Sequence, residues 1–93
     1  MKFEYDESKS KINKEKHGID FVEAQNLWQD ENALVVPANI VDEEIRFALI
    51  SMFKNKCYVA IYTIRNEIYR IISVRRCRKN EEKSYENNNS KRI

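Results

Sequence analysis

Three β-favouring apolar runs, at residues 45–53, 57–64 and 68–74, follow one another with only Lys54-Asn55-Lys56 and Arg65-Asn66-Glu67 between them. Connections this short join antiparallel neighbours, because a parallel return needs a crossover of about a dozen residues or more. An earlier run at 33–37 ends on Pro37, the only proline, which cannot donate to a sheet ladder and so argues for an edge. The second half of the chain is therefore expected to be an antiparallel sheet of about four strands.

The first 30 residues read differently. A short opening strand at 3–5 leads to Asp6, a carboxylate N-cap for a polar helix that ends near His17. Lys16 and His17 place positive charge in its last turn, and Gly18, the only glycine, stands where a left-handed C-cap belongs. Asp20 and Glu23 are spaced as a capping box for a second helix, with Phe21, Ala24, Leu27 and Trp28 on its apolar face. Cys77, Glu81 and Tyr85 have helical spacing, which suggests a closing helix over 76–85. Residues 86–93 read as a polar, disordered tail. The expectation is one α+β domain over 1–85.

Composition excludes several functions. A single glycine rules out Walker and dinucleotide loops, which need several glycines where backbone approaches phosphate. Cys57 and Cys77 lack the spacing of a redox motif or zinc knuckle and are expected to be reduced packing residues. No cofactor or metal is called for. The chain lacks an apolar run of membrane length and a secretory leader, so a cytoplasmic protein is expected. At 93 residues the core is small enough to leave a homodimer open.

Charge supplies the first functional pointer. Residues 1–44 hold five Lys/Arg against eleven Asp/Glu, and residues 45–93 hold twelve against four, so a net of +2 conceals halves of −6 and +8. The basic half carries its cations within strand-like runs, above all Arg70-Ile71-Ile72-Ser73-Val74-Arg75-Arg76. Guanidinium forks on a sheet suit the oxygens of a polyanion, and RNA or DNA is the leading partner class.

The pattern Phe3-x-Tyr5-Asp6, Lys9, Asn13, Lys16-His17-Gly18-Ile19-x-Phe21-x-Glu23-Ala24, Asp30, Glu44-x-Arg46, Tyr62-Thr63-x-Arg65, Arg70-Ile71-Ile72-Ser73-Val74-Arg75 and Tyr85 resembles the BrnT family of bacterial toxins. The resemblance runs from Phe3 to about Tyr85. It implies a compact RelE-like ribonuclease fold, an RNA substrate and arrest of translation. It also implies a BrnA-type antitoxin with a ribbon-helix-helix region, which reaches operator DNA only as a toxin–antitoxin complex. The chain departs from the family pattern at Tyr5, where Trp is usual, and at Cys77, where a small residue is common. It departs again at Ser51 and Lys54-Asn55-Lys56, where glycine is usual, which leaves the turn type open.

RNA cleavage without a metal ion needs a group to take the 2′-hydroxyl proton, one to protonate the leaving 5′-oxygen, and cations where charge builds at phosphorus. His17 is the only imidazole, a group suited to either proton role. Its competing role is to complement the helix end. Arg46, Arg70 and Arg75 are the candidate phosphate clamp, against a reading as surface arginines paired with acids such as Glu44 and Glu67. Strict alternation from Arg70 puts Arg75 on the opposite sheet face, unless a bulge or a switch into the last helix near Arg75 brings them together. Arg46, on a neighbouring strand, is placed to meet Arg70 across the sheet. Lys9, Lys16, Arg65 and Arg76 are candidate RNA contacts, and Tyr62 and Tyr85 are candidates for stacking on a base or donating a proton. Two other classes compete: a non-catalytic nucleic-acid binder, and an interaction module whose basic sheet docks an acidic protein.

Overall fold

A computed structural model describes residues 1–90. The elements are β1 (Lys2–Glu4), α1 (Glu7–His17), a 3₁₀ helix (Glu23–Gln29), β2 (Leu34–Val41), β3 (Glu44–Phe53), β4 (Lys56–Arg65), β5 (Ile68–Arg76) and α2 (Lys79–Ser90). The five strands form one sheet in the order β1-β5-β4-β3-β2. It is mixed, because β1 pairs parallel to β5 while every other pair is antiparallel. The architecture is α+β, with a sheet of five strands where about four were expected.

The helix starts follow from their caps. Asp6 Oδ1 accepts the amides of Ser8 and Lys9 at 2.8 and 3.1 Å. Gly18 closes α1 at φ 74°, with its amide on Lys14 O. Asp20 and Glu23 form the reciprocal box, each carboxylate accepting the other residue's amide. The segment it opens is a 3₁₀ helix rather than an α-helix, and it presses Ala24 and Leu27 onto the sheet.

Three connections are two-residue turns with positive φ at both positions: Asp42-Glu43, Lys54-Asn55 and Asn66-Glu67. Paired positive φ values belong to the type I′ turn, whose twist matches that of the flanking strands. The open question about Lys54-Asn55-Lys56 is thus answered by side chains held in a conformation that glycine prefers.

Two cores lie on opposite sides of the sheet. The larger joins Ile19, Phe21, Ala24 and Leu27 to Leu49, Ala60, Tyr62, Ile71 and Val74. The smaller joins Ala48, Ile50, Cys57 and Val59 to Cys77 and Tyr85, so α2 covers part of the second face. Asp30 connects the layers around the sheet margin. It accepts Met52 N–H at 3.0 Å and Tyr85 O–H at 2.8 Å, and its other oxygen accepts Asn32 N–H.

Several expectations are corrected. Strand β2 is an edge, as Pro37 argued, but continues past it to Val41 through an irregularity between Pro37 and Ile40. The last helix begins at Lys79, beyond Cys77, and runs to Ser90 through residues expected to be disordered, while 91–93 lie outside the described residues. Cys57 and Cys77 form a disulfide instead of staying reduced, with Cα atoms 5.3 Å apart. The register that sets Tyr58 opposite Arg76 carries these two cysteines opposite each other. None of the described helices is long and apolar enough to cross a membrane.

Two substitutions test the roles of the strained turns and of Asp30. Glu67→Gly, at φ 67°, should raise the stability by about 0.5 kcal/mol in urea denaturation, because relief of the left-handed strain exceeds the added freedom of the unfolded chain. Burial opposes ionisation of Asp30, but the hydrogen bonds from Met52, Asn32, Tyr85 and Ser51 outweigh it and hold the carboxyl below its usual value. Its stabilisation is therefore complete above the ordinary aspartate value of about 3.9 and disappears as the pH falls through the lower folded value. Asp30→Asn should cost about 2 kcal/mol at pH 7 and flatten the acid limb of the stability profile.

Candidate nucleic-acid interface

The registers of β3, β4 and β5 decide where the arginines point. Ile61 on β4 pairs with Ser73, but its neighbour Tyr62 pairs with Ile71, which leaves Ile72 as an extra residue in β5. This bulge reverses the parity that strict alternation implies. Arg70 pairs with Thr63 and Arg75 with Val59. Thr63 and Val59 are four residues apart and share a face, so Arg70, Ser73 and Arg75 share it too. Their backbones remain two pleats apart, about 13 Å, so the bulge aligns these arginines without joining them.

Arg46 joins Arg70 by a different route. The pairing of Phe47 with Tyr62 carries Arg46 opposite Thr63, so Arg46 and Arg70 flank the buried Thr63 from either side. Thr63 donates its hydroxyl to Ile45 O at 2.8 Å, which fixes the centre of this row. Beside it stand Glu4, paired with Arg70 at 2.7 Å, and Glu44, which takes a two-pronged hydrogen bond from Arg65. The Arg65 hydrogen bonds hold Glu44 below the usual carboxylate range against the opposing effect of burial, and the charges of Arg65, Arg46 and Arg70 add to this. Arg46 Nε is buried without a hydrogen-bond partner among the described residues. Three guanidinium groups and two carboxylates thus form one cluster at this end of the sheet.

His17 belongs to a neighbouring feature. Beyond Glu4, β1 has ended and α1 takes its place along β5. Asn13 makes the contact: its Oδ1 accepts Val74 N–H at 3.1 Å and its Nδ2 donates to Ile19 O at 2.7 Å. Ser10 Oγ accepts Phe21 N–H at 2.9 Å, so the inward side of this polar helix is itself polar. Lys9, Lys16 and His17 then line a cleft of about 210 Å³ whose far wall is Ile72 and Ser73, the bulge itself. Ser73 lies on the same face as Arg70, so cleft and arginine row meet at this residue.

The other candidates separate by their contacts. Arg75 gives both prongs of its guanidinium to Glu81, each at 2.8 Å, and fastens α2 to β5. Those hydrogen bonds raise the guanidinium pKa and lower that of Glu81, in each case against burial. Arg76 lies over the Tyr58 ring and donates to Cys57 O, on the α2 side. Arg65 is committed to Glu44 at the hairpin end. Tyr85, on α2, packs against the smaller core with its hydroxyl on Asp30.

Tyr62 is only 3% exposed, within the aromatic group of Phe47, Trp28 and Tyr69 on the opposite face. Burial, with Tyr69 adding, raises its hydroxyl pKa, and the ring is closed to a base. Tyr62 is accordingly a core residue.

Asn13, Ser73 and Glu4 escaped sequence reasoning as site residues. Asn13 carried a usable signal, since a mid-helix asparagine competes for backbone groups. Glu4 and Ser73 carried none, because their placement depends on the parallel β1–β5 pairing and on the bulge. No group of three or more His, Cys, Asp or Glu among the described residues is placed to hold a metal ion.

No curated protein matches the chain. Residues 5–81 match the family model described as ribonuclease toxin, BrnT, of type II toxin-antitoxin system. That span takes in α1, the 3₁₀ helix, all of β2 to β5 and the start of α2, and the chain therefore belongs to the BrnT family of ribonuclease toxins.

Proposed function

We propose that this protein is an endoribonuclease that cuts RNA without a metal ion, blocks translation, and is neutralised by a cognate BrnA-type antitoxin. The observation that carries the site assignment is the bulge at Ile72, which makes Ser73 common to the His17 cleft and the Arg70 face. RNA laid across this junction has its phosphate near Arg70 and Arg46 and its sugar near His17. In this reading the 2′-oxygen attacks phosphorus as its proton passes to a basic group, and the 5′-oxygen departs with a proton from an acid. The products are a 2′,3′-cyclic phosphate and a 5′-hydroxyl. His17 takes part in proton transfer, Arg70 and Arg46 stabilise the charge developing at phosphorus, and Lys9 and Lys16 hold the strand.

The ion pairs refine these roles. Arg70 commits Nη1 to Glu4, and a guanidinium has five N–H donors, so others stay available to phosphate. Arg75 spends both terminal nitrogens on Glu81, which makes it a positioning residue for α2. The same ion pairs favour a second reading, a non-catalytic RNA binder whose arginines serve mainly the fold. Turnover separates the two.

Labelled RNA incubated with the purified protein in chelator should yield fragments ending in cyclic phosphate. His17→Ala and Arg70→Ala should each slow cleavage by about 100-fold while leaving the thermal midpoint within a few degrees. Full cleavage by both variants rejects this site, and a salt-sensitive complex without products selects the second reading. Glu4→Gln frees Arg70 of its carboxylate and should tighten RNA binding several-fold at low salt; unchanged or weaker binding would remove Arg70 from the RNA contact.

A further inference from the structure

The face of the sheet that carries the larger core is covered over only part of its width. Ile40 pairs with Ile45 across β2 and β3, and the β3–β4 register carries Ile45 opposite Ile64. Lateral partners point to the same side, so three isoleucines form a row over three adjacent strands. They are 74%, 53% and 42% exposed. Ile64 pairs in turn with Tyr69, which packs against the larger core, so the row lies on the face opposite Arg46 and Arg70. Single exposed apolar residues are ordinary, but a contiguous row of them marks an interaction surface.

The charge beside this row has one sign. The turn Asp42-Glu43 ends the β2–β3 hairpin next to Ile40 and Ile45, and Glu67 lies in the turn that follows β4. Asp42, Glu43 and Glu67 are exposed and make no ion pair among the described residues, whereas the nearby Arg65 is held by Glu44. A second copy seated face to face would bring two acidic rims together. A second copy added along the edge of β2 would meet Pro37, which has no N–H, and the irregular register after it.

We infer that the isoleucine row is the docking site for an amphipathic helix with an apolar stripe flanked by Lys or Arg, supplied by the antitoxin. The inference rests on the toxin–antitoxin reading above. It places the anchor on the side away from the RNA site, so partner binding and RNA cleavage can be separated by substitution.

The probe is the protein encoded by the reading frame adjacent to this gene, titrated into the purified full chain. Ile40→Lys/Ile64→Lys should weaken the complex about 100-fold or more, with RNA cleavage by the free variant unchanged. Asp42→Asn/Glu43→Gly keeps residues that tolerate positive φ and removes two charges; it should weaken binding about tenfold and reduce its salt dependence. Wild-type affinity in both variants would overturn the docking site while leaving the toxin–antitoxin reading intact. A wild-type dimer that Ile40→Lys/Ile64→Lys splits into monomers would assign the row to a second copy and overturn it as well. Failure of the adjacent protein to bind the wild-type chain would remove the toxin–antitoxin reading, and this site with it.

Discussion

The buried amide of Asn13 holds together the part of the molecule on which the proposed site depends. Strand β1 covers only the start of β5, and past Glu4 the edge of β5 would be left open. Asn13 fills the gap by accepting the Val74 amide and donating to Ile19 O, so one side chain fixes both α1 and the chain leaving it. A helix with so few apolar residues has little hydrophobic area with which to dock. Its position depends on directional bonds, which place Lys9, Lys16 and His17 along the bulge more narrowly than an oily interface would.

Three arginines of the basic half do not stand free. Arg65, Arg70 and Arg75 face Glu44, Glu4 and Glu81 in turn, and two of these acids come from the acidic half of the sequence. Two of these ion pairs thus join the acidic half of the chain to the basic half in space. In the proposed function a polyanion meets a narrower set: Arg46, the uncommitted donors of Arg70, and the cations of α1. This arrangement prevents mutual repulsion of the guanidinium groups in the free protein. In the proposed function an incoming phosphate competes with carboxylates already in place.

Local signals in the sequence carried much of the fold. The Asp6 and Gly18 caps, the Asp20–Glu23 box and the edge position of the Pro37 strand appear where residue chemistry put them. Features that depend on long-range pairing did not show. The parallel partnership of β1 with β5 joins residues 66 positions apart, and nothing near either strand announces it. The bulge is equally silent, because Ile72 in a run of isoleucine and valine looks like any other strand residue. The disulfide was missed because the cysteines were judged by their spacing along the chain instead of across the β4–β5 hairpin. Tyr62 shows the limit of residue type as a guide: a tyrosine between Ile61 and Thr63 suits a wet surface or a core equally well, and only the aromatic group around it decides.

In the proposed function RNA lies where the bulge joins the His17 cleft to the arginine face. An isotopically labelled protein titrated with a short RNA lacking 2′-hydroxyls at the cutting position tests this directly, since such a strand binds without being cleaved. Amide signals of Lys9, Lys16, His17, Arg70 and Ser73 should shift together, with those of Ile40 and Ile45 unmoved. Shifts confined to the isoleucine row or to α2, with the bulge unaffected, would contradict it.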